Sequence, residues 1–121
     1  MPPRARIANT ESGAIFVSIH FNHARSRKAA GIETFYHSKN KQSLKLAHMV
    51  QSAALYKTRA GNRGVKKANF LVLSKNSRPA VLLECAFLSN SSDRYRALDP
   101  EYRQRIAEAV AMGIIKFRQS K

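Results

Sequence analysis

The pattern of hydrophobic positions predicts four strands. The stretch 15–22 (IFVSIHFN) contains a nearly continuous apolar run that predicts a strand at 14–20, and a second such run covers 80–84. Both are typical of strands that are buried on both faces of a parallel sheet. The alternating run Ile32–Tyr36 and the short apolar run 70–73 predict two further strands. Residues 58–67, TRAGNRGVKK, predict a basic loop that is punctuated by glycine.

Helical spacing of apolar residues predicts two helices. In the first, residues 40–57, the buried face consists of Leu44, Ala47, Val50, Ala53 and Ala54. The second begins after Asp99, which can cap it, and Pro100 suits its first position. Its apolar stripe consists of Tyr102, Ile106, Ala109, Val110, Ile114 and Phe117. Residues 6–9 also resemble the last turn of a helix.

The order strand, strand, helix, strand, strand, helix indicates an α/β protein. We expect a mostly parallel sheet with helices on both faces, formed by residues 1–121 as a single domain. Two helices cover little more than one face, although the two central-looking strands need cover on both. The pattern therefore predicts that part of a larger fold lies outside this sequence.

The net charge of the chain indicates which classes of partner it is expected to bind. Among 121 residues, 22 are Lys or Arg and 7 are acidic, which gives a formal charge of +15. This excess predicts attraction to a polyanion, whether nucleic acid, an anionic cell-wall polymer or acidic lipid.

The single cysteine, Cys85, excludes an intramolecular disulfide and a Cys-rich zinc module. No apolar run is long enough for a membrane span, and the first twelve residues lack the apolar core of a signal peptide.

Two apolar strands end in residues suited to catalysis. His20 closes the first strand, and Glu84 closes the strand that begins the segment 82–90, LLECAFLSN. If these strands run parallel, their carboxyl ends meet at one edge of the sheet, where ligands bind in open α/β folds. A desolvated glutamate suits acid/base work, and a neutral histidine suits metal binding. The alternatives are a hydrogen-bonded or solvated histidine at the end of a core strand and a glutamate paired with an arginine.

Four sequence blocks together cover nearly the whole chain. The blocks are Arg6-Ile7-Ala8-Asn9 with Phe16-Val17-Ser18-Ile19-His20-Phe21-Asn22; Gly31-Ile32-Glu33-Thr34-Phe35-Tyr36; Asn62-Arg63-Gly64-Val65-Lys66 running into Phe70-Leu71-Val72-Leu73; and Pro79-Ala80-Val81-Leu82-Leu83-Glu84 with Phe87-Leu88-Ser89-Asn90. In this order, they resemble the zinc-dependent N-acetylmuramoyl-L-alanine amidases of the Amidase_3 type.

The resemblance implies a peptidoglycan hydrolase that cuts the amide between N-acetylmuramic acid and L-alanine of the stem peptide. By this resemblance, His20 matches the last zinc ligand and Glu84 the catalytic glutamate, which activates the attacking water. Asn22 and Arg63 would line the substrate groove, although each could equally serve to hold its own loop. The implied cofactor is zinc, and the implied location is the cell envelope, either the periplasm or the cell wall.

The chain departs from the family pattern at its start. The family domain begins with a strand that ends in an Asp-x-Gly-His-Gly motif, whose histidine is the first zinc ligand, and a later glutamate is the second. Neither is present, so we expect the first strand, first helix, second strand and two of three protein ligands to be missing. His23 and His37 are conceivable substitutes, which would require the chain to turn after His20. We therefore expect an incomplete zinc site and little activity from these 121 residues alone.

Two other functions remain open at the level of sequence. The first is a non-catalytic envelope protein that binds peptidoglycan or an anionic polymer through its basic surface. The second is nucleic-acid binding through the basic loops 23–28 and 57–67. The sequence contains neither a recognisable groove-reading module nor a stacking platform, which argues against nucleic acid.

Overall fold

The computed structural model describes residues 3–10 and 13–120, which form one sheet with helices packed on it. The strands are β1 (Phe16–Asn22), β2 (Ile32–Tyr36), β3 (Asn62–Lys67) and β4 (Ala80–Phe87). The helices are α1 (Pro3–Thr10), α2 (Lys41–Thr58), α3 (Leu71–Ser74), α4 (Ser91–Leu98) and α5 (Pro100–Gln119). This confirms the α/β class, and α1 contains the helical turn predicted at residues 6–9.

The strand order in the sheet is β1-β4-β2-β3. β1 pairs with β4 and β2 pairs with β3 in parallel, whereas β2 and β4 are antiparallel. The sheet is thus mostly parallel, as predicted, with one reversal at its centre. Because of this reversal, β1 and β4 end at one edge of the sheet and β2 and β3 end at the opposite edge.

The two apolar strands differ in burial. Every residue of β4 is buried, which agrees with its predicted central position. The prediction that β1 is buried on both faces is wrong for this structure, because β1 lies at the edge of the described sheet. Its residues are half-buried or exposed, and Ile19 retains 49% of its accessible surface.

The main core lies between one face of the sheet and the helices α2 and α5. α5 begins as predicted, since the Asp99 side chain accepts a hydrogen bond from the Glu101 amide at 3.0 Å and Pro100 follows directly. The close approach of α5 to α2 depends on Gly113. A β-carbon added there would lie 2.9 Å from Val50 Cα, a backbone atom that cannot yield. The predicted stripe of α5 is confirmed, as its members are buried or packed against this core.

The predicted buried face of α2 is correct except at one position. Ala47, Val50, Ala53 and Ala54 are fully buried or nearly so. Leu44 is 37% exposed, and Leu46 is buried in the core instead. No helix in the described ranges is both long enough and apolar enough to span a membrane.

The opposite face of the sheet has thinner cover. Its buried cluster consists of Leu73 from α3 with Ala80 and Leu82 from β4, bordered by partly buried side chains such as Phe16 and Phe35. Helices therefore lie on both faces, as predicted, but a single turn of helix contributes to this second cluster.

Two local predictions are wrong, and one helix was not predicted. Residues 62–67 form β3 rather than a loop, since pairing with β2 supplies the hydrogen bonds that their polar sequence does not suggest. Residues 70–73 were predicted as a strand, but 71–74 form α3, because a four-residue apolar run does not distinguish the two conformations. Helix α4 was not predicted, although Asn90 caps it by accepting from the Asp93 amide at 3.0 Å.

Candidate active site

One row of three ionisable residues crosses the sheet on its thinly covered face. His20 of β1 lies opposite Glu84 of β4, and Glu84 lies opposite Glu33 of β2. Directly opposed residues project to the same side of a sheet, as does Leu82, two positions before Glu84. The parallel pairing of β1 and β4 thus brings the two residues singled out from the sequence side by side, near the ends of their strands.

Glu84 is a buried carboxyl group whose negative charge has no partner. The residue is only 9% exposed, and its Oε2 has no hydrogen-bond partner in the described structure. Burial, and secondarily the negative charge of Glu33, raise the pKa of Glu84 to about 7. No ion pair within the described residues includes Glu84, so it is not the arginine-paired glutamate of the alternative interpretation. A carboxyl of this kind can take up or release a proton near neutral pH.

His20 is exposed at the edge of the described sheet. Its Nε2 lies 2.7 Å from Ser18 Oγ, two residues back on the same strand. The imidazole is open to an approaching ligand, but the same contact suits a merely hydrogen-bonded, solvated histidine. Its role as a metal ligand therefore stays a prediction.

Glu33 is the site residue that sequence reasoning missed. It is 4% exposed, and its Oε2 accepts hydrogen bonds from Lys66 Nζ at 2.6 Å and Arg63 Nε at 3.3 Å. These two cations offset the cost of burying its charge. The signal available in the sequence was a glutamate between apolar residues of a short strand, but its proximity to Glu84 depends on how β2 and β4 pair.

Arg63 and Asn22 both lie near this row and both have structural contacts. The Arg63 guanidinium pairs with Glu33 and lies 4.6 Å from the centre of the Phe87 ring. Asn22 lies opposite Phe87, and its Oδ1 accepts from the His23 amide at 2.8 Å. These contacts agree with the structural alternative for both side chains, and their predicted contact with substrate stays a prediction.

A three-ligand site built from His20, His23 and His37 does not form. Across the described residues, no three His, Cys, Asp or Glu side chains are grouped so that they could hold a metal ion. His37 follows β2, whose end at Tyr36 lies opposite Val81. It is therefore more than roughly 10 Å along the sheet from the row. The row offers one exposed imidazole and two buried carboxyl groups, one of which is already paired with Arg63 and Lys66, and these fit part of a zinc site but not a complete one.

Comparison with known proteins agrees with the motif-based resemblance. The family profile of N-acetylmuramoyl-L-alanine amidases, Amidase_3, matches residues 1–116. A protein from Bacillus anthracis that is named as an uncharacterized cell wall amidase is 37% identical over 98% of this chain, which covers 24% of that protein. A germination-specific N-acetylmuramoyl-L-alanine amidase from Bacillus subtilis is 28% identical over 98% of this chain, which covers 50% of that protein.

Solved structures show the same relationship. The fold matches the N-acetylmuramoyl-L-alanine amidase of Clostridium difficile with a TM-score of 0.92 and 36% identity, over 98% of this chain and 64% of that one. This chain spans half or less of the two curated relatives and just under two thirds of the solved structure. Because the family profile matches nearly the whole sequence, the chain belongs to the Amidase_3 family of N-acetylmuramoyl-L-alanine amidases.

Proposed function

We propose that residues 1–121 are part of the catalytic domain of a peptidoglycan amidase, which cleaves the bond between N-acetylmuramic acid and L-alanine. The observation that carries this proposal is the pairing of His20 with Glu84 on neighbouring parallel strands. Family membership supplies the substrate class. Relatives named as cell wall amidases support a location in the cell envelope.

Glu84 is the proton carrier in the proposed reaction. Its buried carboxylate takes a proton from the attacking water as the water oxygen bonds to the lactyl carbonyl carbon. It then gives a proton to the nitrogen of L-alanine as the carbon–nitrogen bond breaks. A pKa near 7 lets the same group act as base and then as acid.

Zinc is the cofactor that we propose, and His20 is the one ligand that we assign to it. When bound, zinc would polarise the amide carbonyl and acidify a water molecule. Because the described residues lack a complete ligand set, we expect these 121 residues alone to bind zinc weakly and to turn over little substrate. We assign Asn22 and Arg63 to the rim of the substrate groove.

The proposal is tested by metal content and by product. Zinc bound per chain is measured at equilibrium with excess free zinc, together with the release of free stem peptide from purified muropeptides under the same conditions. His20→Ala should remove the bound zinc and any activity. His48→Ala is the matched control, because His48 is an exposed histidine on α2 away from the row. Equal zinc content in the two variants would contradict the role of His20, and zinc-loaded protein that releases no stem peptide would favour a wall-binding protein without catalysis.

A further inference from the structure

A basic cleft lies beyond the carboxyl ends of β1 and β4. It has a volume of about 560 Å³ and lies between the segment after β1 and the start of α4. We call this cavity the basic cleft. The residues that line it are His23, Ala24, Arg25, Arg27, Leu88, Ser89, Ser91 and Arg94. Three arginines and two serines thus line one concavity, whereas neither His20 nor Glu84 belongs to its lining.

Hydrogen bonds between the two walls hold the cleft in shape. The Ala24 amide donates to Ser89 Oγ at 3.0 Å, and Asn90 Nδ2 donates to the Arg27 carbonyl at 2.7 Å. Arg94 Nη1 donates to the Leu88 carbonyl at 2.9 Å, which fixes that guanidinium at the cleft wall. The site is therefore largely ordered before any ligand binds, which lowers the entropy cost of binding.

No acidic side chain among the described residues neutralises the cleft. The acidic residues of the described ranges lie outside the cleft lining. They form ion pairs or accept hydrogen bonds from backbone amides or, in the case of Glu84, lie within the sheet. They are Glu33, Glu84, Asp93, Asp99, Glu101 and Glu108. Asp93, the acidic residue nearest in sequence, is buried, and its Oδ2 accepts from the amides of Gly31 and Phe87, each at 2.8 Å. The cleft arginines therefore form no ion pair with an acidic side chain among the described residues.

We propose that the basic cleft binds phosphate groups of an anionic cell-wall polymer, one whose units are joined by phosphodiesters. Guanidinium groups pair with phosphate oxygens through parallel, charge-assisted hydrogen bonds, and serine hydroxyls add further donors. The formal charge of +15 extends the attraction beyond the cleft and so favours a long polyanion over a single ion. This binding goes beyond the proposed amidase function, although the choice of a wall polymer over nucleic acid rests on the location in the cell envelope proposed with that function.

The experiment measures binding of a short oligo(glycerol phosphate) at fixed ionic strength, before and after Arg25→Gln combined with Arg27→Gln. We expect affinity to fall about tenfold or more, because each lost guanidinium removes charge-assisted hydrogen bonds. The control combines Arg103→Gln with Lys116→Gln, which removes the same charge from exposed positions on α5 and should weaken binding far less. Thermal unfolding checks that each double variant remains folded. We expect both to fold, because all four substituted residues are exposed.

Three competing probes decide the source of the anion. Inorganic phosphate, single-stranded DNA with the same number of phosphates, and a muropeptide with free carboxylates are titrated in parallel. We expect the protein to bind the glycerol phosphate oligomer more tightly than any of these three probes. We also expect the cleft variant to lose this affinity and the α5 control variant to keep most of it. Equal weakening in both double variants would reduce the effect to net charge and overturn the proposal. DNA bound as tightly as the oligomer, or a cleft variant that loses muropeptide alone, would overturn the assignment to a wall polymer.

Discussion

The two faces of the central strand β4 perform different tasks. Val81, Leu83 and Cys85 project into the large apolar core beneath α2 and α5. Leu82 and Glu84 project to the other side, where the buried cluster is small. Neighbouring residues of one strand thus fill the main core on one face and, on the other, place a buried carboxyl group beside an exposed histidine.

The comparison shows that a sheet face with few packed side chains can hold a partly desolvated carboxyl group next to an exposed histidine. On the thick face, burial raises the pKa of Cys85 to about 12, which keeps its thiol protonated and unreactive. On the thin face, Glu84 is buried enough to have a raised pKa but lies beside the exposed His20. Substitutions on the two faces of β4 test this contrast, from the largest expected effect to the smallest.

Glu84→Gln should separate activity from stability. The amide cannot carry the proton, so the slow stem-peptide release expected of zinc-saturated protein should fall to the uncatalysed background. The free energy of unfolding at pH 8 should hold or rise, because a buried, unpaired charge is removed. Glu108→Gln, on the exposed side of α5, is the control and should change neither quantity appreciably. Loss of folding in Glu84→Gln would show that the carboxylate is structural.

Leu83→Ala and Leu82→Ala compare the two faces directly. Leu83 is fully buried in the large core, and we expect its truncation to cost about 3–5 kcal/mol of unfolding free energy. Leu82 belongs to the small cluster, so the cost should be about 2 kcal/mol, near the lower end of the range for such substitutions. Denaturant unfolding measures both values. Equal costs would show that the thin face contributes as much to stability as the thick one.

The raised pKa of Glu84 should make stability depend on pH. The group has a pKa of 4.5 in the unfolded reference and about 7 in the folded protein, so the folded state binds the proton more tightly. Its stabilising contribution is complete below pH 4.5 and is lost as the pH rises through 7. At about 1.4 kcal/mol per pKa unit, the loss is of order 3 kcal/mol.

The measurement is the difference in unfolding free energy between wild type and Glu84→Gln across pH 4–8, without metal. The difference should shift in favour of the variant as the pH rises from 4.5 to 7 and should level off above that. Parallel curves would show that Glu84 titrates normally in the folded protein.

Tyr102→Phe should have the smallest effect, since it removes one hydrogen bond on the thick face. The buried Tyr102 hydroxyl donates to the Cys85 carbonyl at 2.6 Å. Its loss should cost about 1–2 kcal/mol, because a buried acceptor loses its partner while the packing stays nearly unchanged. Tyr95→Phe, at a side chain that is 78% exposed, is the matched control and should cost almost nothing. Equal melting temperatures for the two variants would contradict this expectation.

The sequence by itself determined the elements whose pattern is strong and local. The apolar run of β4 and the capped, striped helix α5 were predicted because burial and capping leave marks at fixed spacing. The same runs, followed by His20 and Glu84, also carried the family resemblance, which the comparisons confirm. The condition for bringing those two residues together, that their strands run parallel, is met by β1 and β4.

Only the tertiary structure decided the direction of β2 and the conformation of the polar segments around it. Antiparallel pairing of β2 with β4 places Glu33 opposite Glu84 and carries His37 to the far edge of the sheet. β3 became a strand because β2 offered a partner, although its own sequence is polar and contains glycine. Strand direction and pairing depend on contacts between distant segments, and a local pattern of burial contains no record of them.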